Sequence, residues 1–217
     1  MEIIIKLGGS LQEKGREIIR FLSDYAEKKA HTFIMIPGGG HFVKRIKELF
    51  EQKAISDDAA HWMAVLGMQQ YGFFLADGSG IEIVESEEEL NNAGHICIVL
   101  PYNLLKADDV LPHTWDVTSD TIAAFIAHKL GEKSFIKLTD VDGLMDDEGI
   151  LIEQIHAEEM AHTGCVDAEL PGFLMRNKMS CVIVNGNFPE RIIAVIEGKE
   201  TVCTKLVSYL DDNFIKL

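Results

Sequence analysis

The first residues able to do chemistry stand at the end of an apolar run, where Ile3-Ile4-Ile5 leads into Lys6-Leu7-Gly8-Gly9-Ser10. Paired glycines after a strand let backbone N–H groups turn toward a ligand without side-chain obstruction. Lys6 belongs to the same strand end, so its ammonium reaches the same place. A second run, Thr32 to Ile36, repeats the arrangement with Pro37-Gly38-Gly39-Gly40 and then a helix from near His41. Three glycines at a helix start make an anion cradle, because unpaired N–H groups and the helix dipole both favour negative charge. A tight turn and a solvated lysine would explain the first loop alone. Two such loops after consecutive strands point to a bound anion.

Spacing removes the commoner phosphate sites. The pattern G-x-x-x-x-G-K-[ST] is missing, and the dinucleotide fingerprint G-x-G-x-x-G fails because Val43 stands where Gly38 and Gly40 require a third glycine. Asp140-Val141-Asp142-Gly143 looks like the opening of a calcium loop, but its glycine comes too early for an EF-hand. Two further segments carry polar groups at element ends. In Thr118-Ser119-Asp120, hydroxyls and a carboxylate crowd a helix start beyond what a cap requires. Thr139-Asp140-Val141-Asp142-Gly143 follows directly on a strand.

Taken in order, Ile3 to Ser10, Pro37 to Gly40, Thr118 to Ala124 and Leu138 to Leu144 resemble the amino acid kinase superfamily. Within it, Thr114-Trp115-Asp116-Val117-Thr118-Ser119-Asp120 and Val184 to Arg191 look most like the branch that phosphorylates an aminomethylfuran phosphate in methanofuran biosynthesis. The resemblance implies an α/β fold, a three-layer αβα sandwich whose central, mostly parallel sheet has about eight strands. It implies ATP as phosphoryl donor, Mg²⁺, and a small anionic acceptor. A phosphomonoester extended to a diphosphate is the first choice; uridylate, isopentenyl phosphate and amino-acid carboxylates are the others. In such a kinase Lys6 stabilises the transferring phosphoryl and Asp120 orients Lys6. Gly8, Gly9 and Ser10 hold phosphate oxygens, and Thr139, Asp140, Asp142 and Gly143 border the nucleotide. Gly38, Gly39 and Gly40, with Thr118 and Ser119, bind the acceptor.

One departure stands out. Many relatives carry a second catalytic lysine in a C-terminal glycine-rich segment, and the corresponding stretch here, Gly164 to Leu170, has no lysine. Lys14 is the substitute the resemblance suggests. Lys137 and Lys178 are further candidates, each also readable as a solvated or structural lysine. The missing cation leaves room for a nucleotide- or oxyanion-binding storage protein on the same fold. The want of a general-base motif fits a kinase, since an acceptor that is already anionic needs no deprotonation. The eight histidines form no H-E-x-x-H pair. His41 suits an acceptor contact or a solvated helix start, and His156 and His162 read as surface residues. No structural metal is expected; Mg²⁺ would be held chiefly by phosphate oxygens.

The elements that position these residues alternate short apolar runs with helical patterns, the signature of a parallel sheet covered on both faces. Strands are expected over 2–7, 32–36, 81–85, 95–100, 134–138, 181–184 and 201–203. Helices are expected over 14–28, 41–52, 57–75, 120–130, 157–162, 168–176 and 189–197. The helix from Asp57 carries Trp62, Met63, Val65, Leu66, Met68, Tyr71, Phe73 and Phe74 on more than one face, so it is buried all round or shared with a second subunit.

At 217 residues the chain suits one large domain, with the acceptor side in its N-terminal part and the nucleotide side in its C-terminal part. A net charge of −15 argues against nucleic acid as a partner, because phosphate backbones need clustered Lys and Arg. The four cysteines form no C-x-x-C pair, and three sit in apolar or β-branched runs, which suits free thiols in a reducing compartment. No run approaches the roughly 18 apolar residues of a membrane span. The expectation is a cytoplasmic protein, off the membrane, that acts on a small molecule as a homodimer or higher homo-oligomer.

Overall fold

The computed structural model describes residues 2–160 and 164–208. Strand β1 (Glu2–Leu7) ends in a 3₁₀ turn over Gly9–Leu11 and is followed by α1 (Gly15–Lys29). Buried Ile18, Ile19, Leu22 and Ala26 give α1 one apolar face, the spacing that lays a helix on a sheet. The chain continues through β2 (Thr32–Pro37), α2 (Gly40–Glu51) and the long α3 (Asp57–Ala76) to β3 (Glu82–Val84) and the short α4 (Glu87–Asn91). Next come β4 (Ile96–Val99), α5 (Tyr102–Asp108), α6 (Ser119–Lys129), β5 (Ser134–Thr139), β6 (Gln154–His156) and a 3₁₀ turn over Ala157–Glu159. The remainder is α7 (Leu170–Asn177), β7 (Ser180–Asn185), α8 (Pro189–Ile196) and β8 (Thr204–Val207), with Pro189 in the first turn of α8.

These strands form one eight-stranded sheet in the order β3-β4-β2-β1-β5-β7-β8-β6. All pairs are parallel except β7 with β8. Being parallel, β1, β2, β5 and β7 end on one edge, which gathers the loops after Leu7, Pro37, Thr139 and Asn185. The chain leaves β1 toward β2 on one side and returns to β5 on the other. The crevice outside strand ends at such a reversal is where open α/β sheets bind ligands.

Alternation along the buried strands sends side chains into two cores. Ile4, Ile34 and Ile36 pack on one face with α6 and α7; Ile3, Ile5, Phe33 and Met35 pack on the other with α1 and α8. Helix α3 serves both, with Val65 and Met68 in the first core and Tyr71 and Leu75 in the second. It still leaves Met63, Leu66 and Phe73 exposed. The unusual composition of this helix therefore reflects two cores and one uncovered apolar side.

Several expected elements move. The last strand lies at Thr204–Val207 rather than 201–203, because that register points Thr204 and Leu206 inward opposite Ile183 and Cys181 while Val202 stays exposed. The helix expected over 157–162 is a single 3₁₀ turn, Ala157–Glu159; His162 lies outside the described residues. Helix α7 begins at Leu170, later than expected. Strand β6 and helices α4 and α5 carry too few residues to show a period.

Candidate active site

The two glycine loops meet. A Cβ on Gly9 would stand 2.3 Å from the amide nitrogen of Gly40, and one on Gly38 would stand 2.8 Å from that of Gly9. Only bare main chain permits this approach. The amides divide into two sets. The Gly8 N–H donates to the Leu138 carbonyl and the Gly38 N–H to the Leu7 carbonyl, both at 2.8 Å, so these buried residues tie the loops to their strands. The N–H groups of Gly9, Ser10, Gly39 and Gly40 find no partner among the described residues and reach the surface. The next amide, of His41, donates to Gln12 Oε1 at 2.8 Å, and the His41 side chain is exposed. Unpaired N–H groups converging from two loops have the chemistry to receive an anion.

Beneath them lies a buried charge cluster. Lys6 and Lys137 sit side by side in the β1–β5 register. The Lys6 ammonium is 2.7 Å from Asp120 Oδ1, and the Lys137 ammonium is 2.6 Å from both carboxylate oxygens. All three side chains are buried. Burial opposes the Asp120 charge, yet Lys6 and Lys137 together hold its carboxyl down at about 2. Burial lowers the Lys6 pKa, with Asp120 pulling the other way and Lys137 adding repulsion. For Lys137 burial also lowers, but its bidentate contact with Asp120 wins and the pKa rises. Two ammoniums around one carboxylate leave an excess positive charge in a low-dielectric place, where an incoming anion is favoured.

Helix α6 aims Asp120 at this point, and its start is held from afar. The N-cap Thr118 makes no side-chain capping bond. Instead Asp167 accepts hydrogen bonds from Thr118 N, Thr118 Oγ1, Thr121 N and Thr121 Oγ1 at 2.6–2.9 Å. The Asp167 N–H in turn donates to Asp120 Oδ2 at 3.2 Å. The stretch that lacks the expected lysine thus supplies the clamp for the Asp120 helix. Ser119 lies half-buried beside Gly39 on one cavity wall.

The amino acid kinase family matches over residues 1–185. The chain belongs to the amino acid kinase family. A [5-(aminomethyl)furan-3-yl]methyl phosphate kinase from Methanocaldococcus jannaschii is 32% identical over 209 residues, covering 94% of this chain and 97% of that protein. A uridylate kinase from Methanobrevibacter smithii is 25% identical over 235 residues, covering 96% and 100%. The crystal structure of uridylate kinase from Archaeoglobus fulgidus superposes with a TM-score of 0.71 at 18% identity, over 95% of this chain and all of that one, and so shares the fold. The protein is a kinase, a phosphotransferase.

The loop after β5 places its residues unequally. Asp140 is exposed and Thr139 buried, with Thr139 Oγ1 3.4 Å from Asp140 Oδ1. Asp142 accepts from Asn185 Nδ2 at 2.8 Å and Arg191 Nη1 at 2.7 Å, bonds that hold its carboxyl below the usual range. Gly143 has φ +154°, and a Cβ there would lie 2.2 Å from Thr204 Oγ1, so glycine is required for packing against β8. Lys14 stands exposed just before α1, outside the buried cluster. The lysine that shares Asp120 with Lys6 is Lys137. One signal for it was present: a lysine inside Phe135-Ile136-Lys137-Leu138, in a sheet covered on both faces, requires a buried partner. Asp167 gave no such signal, because its partners lie in a segment distant in sequence. Among the described residues no group of three or more His, Cys, Asp or Glu is placed to hold a metal ion, and no helix is long and apolar enough to cross a membrane.

Proposed function

We propose that this kinase transfers the γ-phosphoryl of ATP to a small anionic acceptor, and that the acceptor is a phosphomonoester of the [5-(aminomethyl)furan-3-yl]methyl phosphate type, extended to a diphosphate. The carrying observation is the convergence of four unpaired amides, from two glycine loops, over the Lys6–Asp120–Lys137 cluster. Two adjoining anion cradles suit two phosphate-bearing ligands better than one. The 32% identity with the Methanocaldococcus enzyme over nearly the full length of both chains supports the acceptor class.

In this reading Lys6 and Lys137 neutralise charge on the transferring phosphoryl, and Asp120 holds both ammoniums in place. Positioning and charge compensation of this kind do most of the work in phosphoryl transfer. Gly9 and Ser10 donate to nucleotide phosphate oxygens, with Gly8 fixing their loop. Gly39 and Gly40, set by Gly38, receive the acceptor beside Thr118 and Ser119. Thr139, Asp140, Asp142 and Gly143 border the nucleotide. The donor set fits a polyphosphate; Mg²⁺ would be held chiefly by the phosphate oxygens, with Asp140 the exposed carboxylate at hand, and would supply further charge neutralisation. Lys14 is left to act at the rim. A homodimer or higher homo-oligomer is proposed through the exposed Met63, Leu66 and Phe73 side of α3, and light scattering tests it. The protein is proposed to work in the cytoplasm.

The test is incubation of the purified protein with MgATP and a panel of phosphate and carboxylate acceptors, following ADP and product. Diphosphate formation from the aminomethylfuran phosphate, abolished in Lys6→Met, supports the reading. Turnover of a carboxylate or of uridylate instead would replace the acceptor. ATP binding without turnover of any acceptor would refute it.

A further inference from the structure

We propose that His61 selects the acceptor: the acceptor's organic body is flat and mostly apolar, fills the cavity beside Gly39, and carries one hydrogen-bonding substituent that meets the His61 imidazole. This rests on the phosphomonoester reading above and specifies the part of the acceptor that the glycine loops do not touch.

The cavity has a volume of ≈ 70 Å³ and opens beside the second glycine loop. Gly39, Thr118 and Ser119 give it a polar rim; Val43, Val65, Met68, Trp115 and Ile122 give it apolar walls. Apolar walls with a few polar groups are the build of a small-molecule pocket. Among the described residues, His61 is the one ionisable side chain in that lining. It is buried, at 6% exposure, yet its ring makes no hydrogen bond among the described residues. Its ring lines the cavity, so the unused donor and acceptor positions are open to a ligand, which would take the place of water there.

The ring is held rigidly for such a task. It stacks on His113 at 4.2 Å between centroids, 14° from parallel, and meets the edge of Trp62 at 5.0 Å. His113 is pinned by Asp58 at 2.6 Å on Nδ1 and Asp109 at 2.8 Å on Nε2. A carboxylate on each nitrogen favours the doubly protonated, positively charged form of His113 and raises its pKa against the opposing effect of burial. Lys106 adds a second cation, 4.0 Å over the Trp62 ring. The groups around His61 are therefore His113, Lys106, Asp58 and Asp109, two of each sign. Burial first, and the charge on His113 next, push His61 down to about 4, so it stays neutral at cytoplasmic pH. A neutral imidazole offers one N–H and one lone pair, enough to read an amine or a hydroxyl. A pocket built around such a bond penalises an analogue that lacks the partner.

The experiment measures acceptor KM and kcat with MgATP for the full chain, using three acceptors: [5-(aminomethyl)furan-3-yl]methyl phosphate and its hydroxymethyl and methyl counterparts. In the wild type the methyl compound should show a KM about tenfold or more above the polar compounds. His61→Leu should erase that gap by raising KM for the polar acceptors, and His61→Gln, which keeps a neutral donor and acceptor, should restore part of it. A preference for amine over hydroxyl, or the reverse, identifies the substituent, and either result supports the role. Retention of the gap in His61→Leu, or an equal loss of kcat on all three acceptors, overturns it. Equal KM values for all three in the wild type overturn the His61 role while leaving the kinase reading intact. If the wild type phosphorylates none of them but turns over another acceptor class, the acceptor reading fails and the His61 role fails with it.

Discussion

At the carboxyl edge of the sheet one carboxylate, Asp120, stands between two ammoniums; beside α3 one imidazolium, His113, stands between two carboxylates. The two clusters are opposite in sign and differ in solvent. The Asp120 side chain is 5% exposed, whereas Asp58 is 72% exposed. Burial makes the first cluster strong and unfinished, because its excess positive charge is screened by nothing but a ligand. Water screens the second, so its pairings are weak, and what they do is hold the His113 ring in place. In the function proposed above, one cluster attracts the phosphates and the other positions the side chain that reads what they are attached to.

The buried cluster is the more sensitive of the two to substitution. Lys6→Met should lower kcat by about 10²–10³-fold or more, the usual loss when a group aimed at transition-state charge is removed. ADP release with the preferred acceptor reads this directly, and unchanged circular dichroism shows that the fold survives. Asp120→Asn should be as damaging to stability as to rate. It strands two buried ammoniums, a change that costs about 3–5 kcal/mol. In a chain of this size that lowers Tm by roughly 10 °C, measurable by calorimetry.

Acidity separates the clusters by sign. Asp120 is an acid whose folded pKa, about 2, lies below its ordinary 3.8. Its contribution to stability is complete above that ordinary value and is lost as pH falls toward about 2. His113 behaves in the opposite way. Burial opposes its charge, but hydrogen bonds to Asp58 and Asp109 raise its pKa above 6.5. Its contribution is present below pH 6.5 and disappears as pH rises through the folded value. Asp58→Asn should therefore bring the His113 titration, followed by NMR, down toward the ordinary range. The accompanying stability change should be the smallest of these effects, at most about 1 kcal/mol for so exposed a pair.

How far the sequence foretold these clusters depends on how local their partners are. The glycine loops were legible because each is a run of adjacent residues after a strand. Asp120 was legible for the same reason, from its helix start. The parallel sheet followed from alternating apolar runs and helices. The pairing of Lys6 with Lys137 was not, because it arises only when β1 and β5 become neighbours across more than a hundred residues. The same holds for the Asp167 clamp on α6, and for His61 and His113, which meet only when the segment before α6 folds over α3. Strand β8 was misplaced since its register is set by β7 and not by its own pattern.

The most direct test of the buried cluster compares two lysines. Lys137→Met and Lys14→Met are assayed side by side for kcat with MgATP and the preferred acceptor, with thermal melts to confirm folding. The expected result is a loss of about 10²-fold or more for Lys137→Met and a far smaller change for Lys14→Met. Near-normal turnover without Lys137, with the large loss falling on Lys14→Met, would contradict the claim that two buried ammoniums on Asp120 carry the transfer.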